Sequence, residues 1–320
     1  MTPLPAKTTA LAEACRWLAD WAGVQRRAVL LTTRGAAELG LEGARASLGN
    51  RLLEFPESPR LAASSALELA GRDWRPVLLM GQSAVFEAHA ALVEAAASRL
   101  PVMACLYGAG LDPSGMSPHR GAGLAALASI PGLTVGLPSD PEDLTAMLAR
   151  LAGGDEPAAL RFSSVSEGLS RTGRALDMAL GKGRVVRRGW RVAFLNFGAL
   201  LPECLEAASR LAGRGIVPTV ADMRFIRPLD TGLAVEMAMT HDLLMVVEDS
   251  MGAAFGLLAR TLAADGFLDR GPKIRSCCMP DAYFSAQGAA ALRTEARLTP
   301  EHLISAVLDA LDEVEGKVAS

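Results

Sequence analysis

The sequence is poor in aromatic residues and has no long apolar run, no excess of positive charge and no paired cysteine spacing. Aromatic residues make up only 5% of the chain. No run of about eighteen uninterrupted apolar residues is present, so we expect no membrane-spanning helix and no membrane partner. The formal net charge of -3 provides no broad positive field for phosphate backbones, which argues against a nucleic-acid partner. Residues 1–7 lack the charged-then-apolar pattern of a signal peptide, so we expect the protein in the cytoplasm.

The five cysteines are an odd number and lack the paired spacing of a disulfide framework or a zinc site. Cys277 and Cys278 are adjacent at the end of a predicted strand, where successive side chains point to opposite faces. We therefore predict free, partly buried thiols. The chain also lacks the two common phosphate-cradling motifs, Gly-x-x-x-x-Gly-Lys-Ser/Thr and a strand-linked Gly-x-Gly-x-x-Gly.

Half of the residues are hydrophobic, and most of these are alanine and leucine, which favour helices. Segments with helical spacing alternate with short apolar runs along the whole chain. We predict strands at residues 28–32, 51–55, 76–80, 102–106, 134–137, 158–162, 191–196, 217–221, 243–247 and 274–278. We predict helices at residues 9–22, 58–69, 84–98, 202–213, 231–239, 253–264 and 301–314, with another that starts at 139–143.

This alternation predicts an α/β protein of two domains, each with a mainly parallel sheet covered by helices. The composition turns polar after residue 163, so we place one domain at residues 1–165, a linker at 166–187 and a second domain at 188–320. The basic cluster 184–191 is interpreted as a solvated rim of the linker, with an anion site as the less favoured alternative.

The most informative segment is Ala221-Asp-Met-Arg-Phe-Ile-Arg-Pro-Leu-Asp230. It follows a predicted buried strand; Pro228 ends the extended chain, and Asp230 or Thr231 can cap the next helix. A second buried strand, 243–247, then ends on the acidic pair Glu248-Asp249.

This order of motifs resembles the C-terminal domain of transketolase-type, thiamine-diphosphate-dependent enzymes, most closely the 1-deoxy-D-xylulose-5-phosphate synthases. The resemblance extends upstream through Gly-Lys-Gly-Arg-Val-Val-Arg-Arg-Gly at 181–189 and Val-Ala-Phe-Leu-Asn-Phe-Gly at 192–198. It continues downstream through Met-Pro-Asp at 279–281 and Leu-Thr-Pro-Glu-His at 298–302. It implies that residues 1–165 are a pyrimidine-binding domain and residues 188–320 a transketolase C-terminal domain.

In this family thiamine diphosphate and Mg²⁺ lie between two domains, and a Gly-Asp-Gly motif in one of them holds the diphosphate and the metal. This sequence contains no Gly-Asp-Gly. The resemblance therefore implies either a separate diphosphate-domain α subunit or a chain that does not hold the cofactor. It also implies a homodimer or an α2β2 assembly, with a ketoacid or sugar phosphate as substrate.

The family needs a glutamate that exchanges a proton with the aminopyrimidine ring, a role suited to a carboxylate. An ungapped comparison from Arg51 to Pro76 puts Pro59 at that position. Glu57 lies two positions earlier and is our candidate acid, for which a shortened loop would be required. The alternative is a surface carboxylate near a helix N-terminus.

Three further cofactor-site candidates and one catalytic candidate follow from the resemblance. Gly110 and His119 lie in the loop 109–121, and the family histidine donates to substrate oxygens, as suits a near-neutral pKa. Gln82 and Phe86 lie in the strand-end segment that carries the aromatic shelf for the pyrimidine ring. The alternatives are a structural hydrogen bond for His119 and core packing for Phe86.

The arginines that grip a sugar phosphate in the family are missing at the corresponding segments, which read Phe-Ser-Ser-Val at 162–165 and Pro-Asp-Ala-Tyr at 280–283 here. Two functions remain open. The first is a β-type subunit of a split, transketolase-like enzyme that transfers a two-carbon or acyl unit. The second is a catalytically degenerate paralogue used for assembly, regulation or binding of another ligand.

Overall fold

The computed structural model describes residues 10–111, 121–163, 178–269, 271–282, 284 and 288–318, and it divides into two compact units, Met1–Met178 and Ala179–Ser320. Each unit contains a sheet that is mostly parallel and packs against helices. The predicted fold class, α/β with two mainly parallel sheets, is confirmed.

The first unit has six parallel strands in the order β5-β6-β4-β3-β1-β2. The strands are β1 (Ala28–Thr32), β2 (Leu52–Glu54), β3 (Arg75–Gly81), β4 (Met103–Tyr107), β5 (Thr134–Gly136) and β6 (Ala158–Arg161). The helices are α1 (Ala10–Val24), α2 (Arg45–Leu48), α3 (Pro59–Ala70), α4 (Val85–Ala97), α5 (Gly123–Ala128) and α6 (Pro141–Ala152). The central strands are apolar and buried along their length, as strands covered on both faces must be.

Strand β1 lies between β2 and β3, although β2 and β3 both follow it in sequence. The chain thus moves to one side of β1 for β2 and crosses to the other side for β3. In open α/β sheets such a reversal leaves a crevice at the carboxyl ends of the two strands, and ligands bind there. The first unit therefore has its topological switch point between β1 and β3.

The second unit has five strands in the order β12-β11-β8-β9-β7 and one short further strand, β10 (Phe225–Arg227). The sheet strands are β7 (Arg184–Arg187), β8 (Arg191–Phe197), β9 (Thr219–Asp222), β11 (His241–Glu248) and β12 (Lys273–Cys277). The helices are α7 (Leu201–Ala212), α8 (Thr231–Thr240), α9 (Ala253–Ala264), α10 (Ala289–Glu295) and α11 (Pro300–Val318). All pairs in this sheet are parallel except β7 with β9.

The interpretation of residues 184–187 as linker is wrong, because they form the antiparallel edge strand β7. The Arg184 guanidinium lies 3.1 Å from the fully buried carboxylate of Asp222, so the start of the basic cluster is an ion pair within the sheet. The four-residue pattern Arg-Val-Val-Arg is too short to distinguish from a polar linker without the partner strand. Glycine at position 183 allows the chain to pass close to β9, because a β-carbon there would stand 2.9 Å from the Asp222 carbonyl oxygen.

Two helices begin at aspartates whose side chains cap them. Asp230, one of the two predicted alternatives for α8, accepts a hydrogen bond from the Leu233 N–H. Asp140 accepts from the Asp143 N–H at the start of α6. Ser58 stands at the N-cap position of α3, but its hydroxyl donates to the Pro56 carbonyl, so it makes no side-chain cap.

Acidic side chains at the carboxyl edge of the second sheet are used locally. The Glu248 carboxylate accepts from the Ser250 hydroxyl and from the backbone N–H groups of Ala254 and Phe255, 3.0 Å and 2.8 Å away. Two of these donors belong to the first turn of α9, where a negative charge is favoured. The acidic pair predicted from the sequence therefore anchors a helix.

All five cysteines are free thiols, and Cys278 is the one that is only half-buried. Burial raises the pKa of Cys15 and of Cys277 to about 12, so these thiols stay protonated near neutral pH. The predicted free thiols are confirmed. Within the described ranges, no helix combines the length and apolar character needed to cross a membrane.

Candidate functional site

The candidate site lies in the first unit, where β1, β3 and β4 end side by side. Thr33 follows β1, Gln82 follows β3, and Tyr107 is the last residue of β4; all three side chains are buried. Thr33 makes a side-chain hydrogen bond with Tyr107, and burial raises the tyrosine pKa to about 12 despite the nearby charge of Arg34. Tyr107 is therefore a neutral phenol here. Polar groups from three strands thus converge at the switch point.

Gln82 has an unusual environment for a buried amide. Its side chain is 4% exposed, and neither Oε1 nor Nε2 has a hydrogen-bond partner among the described residues. A β-carbon at position 123 would stand 1.6 Å from Nε2 and 2.7 Å from Cδ, so only glycine fits opposite the amide. Burial of an amide without partners is costly, and such groups are rare in folded proteins. The Gln82 amide is therefore an unused donor and acceptor at the switch point.

Pro59 is buried and is the first residue of α3. The position that the sequence comparison matches to the family glutamate therefore carries no acidic side chain. Proline suits this position because its missing N–H is not needed in the first turn of a helix. Glu57 is exposed, with a left-handed backbone (φ 54°), and its N–H donates to the Thr33 carbonyl over 3.1 Å. The loop that carries Glu57 therefore lies against the end of β1, with the carboxylate in solvent.

Glu54, the last residue of β2, is the other carboxylate near this loop. It accepts from the Ala36 N–H over 2.7 Å and pairs with the Arg45 guanidinium. Both interactions hold the loop after β1 in place. The Glu54 carboxylate therefore stabilises the local structure through a hydrogen bond and an ion pair.

The remaining candidates lie in different environments. Gly110 is buried, with a left-handed backbone (φ 62°) that favours glycine, just after β4. Phe86 lies in the first turn of α4 and its side chain is 42% exposed, so core packing is wrong for this residue. Amphipathic spacing in the short segment did not reveal which face of α4 is covered. His119 falls in 112–120, outside the described residues.

The structure thus brings Gln82 to the switch point and places Glu57 and Gly110 on loops that leave the same edge of the sheet. Sequence inspection missed the roles of Thr33, Tyr107 and Gly123. The available signals were weak: a polar residue directly after an apolar strand for the first two, and a glycine at the start of an alanine-rich helix for the third.

The residues present fit the group that the family resemblance implies only in part. An unpartnered buried amide fits the polar edge of a pyrimidine ring, which offers donors and acceptors side by side. Proline at position 59 does not fit proton exchange with that ring, and the sequence has no Gly-Asp-Gly for a diphosphate and Mg²⁺. The described residues hold no group of three or more side chains suited to a metal ion. The residues present are therefore compatible with binding a ring edge, but they lack the acid that would exchange a proton with the ring.

The second unit matches a known protein family. Residues 181–303 match the family described as Transketolase, C-terminal domain. A probable 1-deoxy-D-xylulose-5-phosphate synthase 2, chloroplastic, of Oryza sativa subsp. japonica is 37% identical over 219 residues, which are 67% of this chain and 31% of that protein. The chain spans about a third of the length of this curated relative. The resemblance found from the motifs is confirmed.

Two solved structures share the fold over nearly the whole chain. A chain described as split gene transketolase, inactive β4 tetramer, has a TM-score of 0.82 at 20% identity, and the match covers 95% of this chain and 98% of that one. A transketolase mutant of Pichia stipitis in complex with fructose-6-phosphate has a TM-score of 0.77 at 13% identity, covering 99% of this chain but 48% of that one. At these identities the matches establish the fold alone.

Proposed function

Since the chain carries a transketolase C-terminal domain and is homologous to 1-deoxy-D-xylulose-5-phosphate synthases, we propose that it is the β-type subunit of a split, thiamine-diphosphate-dependent enzyme. In this proposal a separate α subunit with a Gly-Asp-Gly motif holds the diphosphate and Mg²⁺. The complex transfers a two-carbon or acyl unit from a ketoacid or sugar phosphate. It acts in the cytoplasm.

The observation that carries this proposal is the fold match over the whole chain. The match covers 95% of this chain and 98% of a split-gene transketolase chain. The neighbour's description as an inactive β4 tetramer supports the need for a second kind of subunit. An α2β2 assembly, or a homodimer that recruits α subunits, follows from the proposal.

The chain's own contribution would be made at the edge of the first sheet. When bound, thiamine diphosphate would supply a nucleophilic carbon for the cleavage and formation of carbon–carbon bonds. Gln82 and Gly110 would bind and orient the pyrimidine side of the group, and Phe86 would exclude water from it. His119 would donate a hydrogen bond to a substrate oxygen, and Glu57 would be the candidate acid.

Reconstitution tests this proposal. The chain would be mixed with a diphosphate-domain protein encoded in the same genome, and turnover would be measured with thiamine diphosphate, Mg²⁺ and candidate ketoacid donors. We expect turnover that requires both proteins and that His119→Ala reduces about 10²-fold, a typical contribution of a positioned proton donor. Arg16→Ala, an exposed change on α1, is the matched control. The absence of turnover with every such partner would contradict the proposal.

Pro59 favours a second candidate function, a catalytically degenerate paralogue that keeps the scaffold for assembly, regulation or another ligand. The position compared with the activating glutamate has no acid, and the segments 162–165 and 280–283 lack the sugar-phosphate arginines. Calorimetry with thiamine diphosphate and Mg²⁺, with and without the partner, separates the two functions. Micromolar affinity supports the enzyme subunit, and no binding under either condition supports the degenerate paralogue.

A further inference from the structure

We propose that the turn between β7 and β8 docks an extended acidic segment of a partner protein. This turn, residues 187–191, has the sequence Arg-Arg-Gly-Trp-Arg and is called the Trp190 turn below. An apolar side chain of the segment packs on the Trp190 indole, and its carboxylates pair with the arginines. The inference goes beyond the proposed function, because it concerns a surface of the second unit and requires neither thiamine diphosphate nor an α subunit.

The Trp190 turn lies at the amino edge of the second sheet, opposite the edge where Glu248 anchors α9. Strand β7 runs antiparallel to β9 and places Arg187 beside Val220, near the start of β9, and β8 begins at Arg191. Ligand crevices of open α/β sheets form at the carboxyl ends of the strands. Docking at the amino edge therefore uses a different surface from such a crevice.

The backbone of the Trp190 turn is fixed by the residues that lead into β9. The Trp190 N–H donates to the Val217 carbonyl, and the Trp190 carbonyl accepts from the Val192 N–H, each over 2.8 Å. The Gly189 N–H donates to the Thr219 hydroxyl over 3.0 Å. A β-carbon at position 189 would collide with the Val217 carbonyl oxygen, so only glycine fits where the turn crosses the start of β9. Little backbone entropy is therefore lost when a partner binds here.

The Trp190 side chain is 55% exposed, although tryptophan is among the more buried residue types on average. The Arg191 guanidinium lies over the indole, 5.8 Å from the ring centroid. Met239, another exposed apolar side chain, lies two residues before His241, which is the register partner of Arg191. Tryptophan and arginine are enriched among the residues that dominate the energy of protein–protein interfaces. The turn therefore offers a rigid aromatic anchor to a partner.

The charges around the indole favour an acidic partner. Within the described part of the chain, neither Arg187 nor Arg214, which precedes β9, has an ion-pair partner. Arg188 pairs with Glu236 over 3.6 Å, but both side chains are exposed, so the pair is weak and a partner's carboxylate can compete for the guanidinium. An acidic segment thus gains ion pairs that the chain itself does not provide.

Strand β7 gives the docking surface an extended shape. Among the described residues it pairs with β9 alone, so its other edge is open to an added segment. It ends at Arg187, next to Arg188, and is bulged between Val185 and Arg187. Charged side chains and bulges on an edge strand oppose pairing with a second copy of that strand. Because the same arginines attract carboxylates, the occupant is an acidic segment and not a second copy of this chain.

Fluorescence anisotropy tests the proposal with the full chain and a labelled peptide, Asp-Glu-Val-Glu-Leu-Asp-Glu. A second peptide, in which lysine replaces every acidic residue, is the control for charge. We expect the acidic peptide to bind in the micromolar range at low ionic strength and to bind more weakly as salt is added, because exposed ion pairs are screened. The lysine peptide should not bind.

Two variants separate the aromatic anchor from the charge. Trp190→Ala and Arg187→Glu should each weaken binding by at least about tenfold, the scale expected for a residue that dominates an interface. Val24→Ala and Arg16→Glu are the matched controls, since they change an exposed apolar residue and an exposed arginine of the first unit. Neither control should change the affinity by more than about twofold. If Trp190→Ala fails to fold, Arg187→Glu still decides the test, because no ion pair within the described chain is lost with it.

Hydrogen exchange locates the bound peptide. The acidic peptide should slow exchange of the backbone N–H groups of residues 185–190, which form the open edge of β7 and the Trp190 turn. Protection confined to another surface overturns the proposal. So does the absence of acidic-peptide binding, or equal affinity of the wild type, Trp190→Ala and Arg187→Glu.

Oligothymidylate and phosphatidylserine vesicles test the other occupants. If either binds more tightly than the acidic peptide and loses affinity in Trp190→Ala and Arg187→Glu, the turn recognises phosphate groups and the proposal is overturned. Weaker binding of both supports the acidic segment. Turnover of the reconstituted complex should be the same for the wild type and Trp190→Ala, so failure of the proposed function and failure of this inference are observed separately.

Discussion

At the carboxyl edge of the second sheet, the buried Glu248 carboxylate accepts three hydrogen bonds, two of them from backbone N–H groups in the first turn of α9. At the carboxyl edge of the first sheet, the equally buried Gln82 amide accepts and donates none within the described part of the chain. Both side chains follow or end a central parallel strand. The motif that identifies the family thus stabilises the fold, whereas the Gln82 amide makes no such stabilising hydrogen bond.

Removal of the Glu248 carboxylate should have the largest effect. We expect Glu248→Ala to lower the free energy of unfolding by about 3 kcal/mol or more, because a buried charged acceptor with several donors is lost at a helix start. Urea denaturation measures this change. Glu236→Ala removes a half-exposed carboxylate paired with Arg188 and should cost less than about 1 kcal/mol. Equal effects of the two changes would break the comparison between the sheet edges.

Restoration of an acid in the first unit tests the other edge. We expect Pro59→Glu to raise thiamine-diphosphate-dependent turnover of the reconstituted complex by about 10²-fold, the scale of a positioned acid or base. Arg60→Glu places the same side chain one residue later on an exposed position of α3 and should leave turnover unchanged. Steady-state kinetics with a ketoacid donor gives both numbers. Unchanged turnover for Pro59→Glu would show that the acid is not the missing element.

A smaller effect is expected from Asp222, whose carboxylate is used within the second unit. Its buried carboxylate lies 3.1 Å from the Arg184 guanidinium and accepts from the Asn196 amide over 3.3 Å. We expect Asp222→Asn to lower the free energy of unfolding by about 2 kcal/mol, since it leaves a partly buried guanidinium without its charge partner. Asp242→Asn, an exposed carboxylate beside Arg191, should change it by less than about 0.5 kcal/mol in the same denaturation experiment.

The smallest effect should come from His241, which begins β11. Burial lowers its pKa, although a hydrogen bond to the Met237 carbonyl and the charges of Asp242 and Glu236 act in the opposite direction. Nε2 lies 2.7 Å from the Thr219 hydroxyl, which also accepts from the Gly189 N–H over 3.0 Å. The neutral ring therefore completes a chain of hydrogen bonds.

Because the folded-state pKa lies below that of the unfolded chain, the unfolded chain binds the proton more readily. The stabilisation by His241 is present above the unfolded pKa, about 6.5, and is lost as the pH falls through and below it. We expect the free energy of unfolding to fall between pH 7.5 and 5.5, and His241→Gln to reduce this fall. Denaturation curves at these two pH values measure the difference. The same loss in both proteins would assign the pH dependence to other groups.

Much of the fold was predictable from local patterns. Strand β1 and helix α9 lie at their predicted bounds, and most other elements differ by one or two residues at their ends. These elements are long enough for apolar spacing and capping residues to specify them. The edge strand β7 and the short helices α5 and α10 were missed, because each depends on contacts with residues distant in sequence.

The candidate site was less predictable. Pro59 and the absence of a Gly-Asp-Gly motif are read directly from the sequence, since residue identity at a position needs no structure. It also placed Gln82 at a strand end. It did not reveal that Phe86 is exposed, nor that the Gln82 amide lies against Gly123, because burial depends on which elements pack together.

By itself, the sequence determined the family of the second unit, the α/β class and the loss of an acid at position 59. These depend on residue identity and on periodicity along the chain. Only the tertiary structure decided how each buried polar group is used. Hydrogen bonding couples residues far apart in sequence, so it made Glu248 a helix anchor and left the Gln82 amide without a partner at the switch point between β1 and β3.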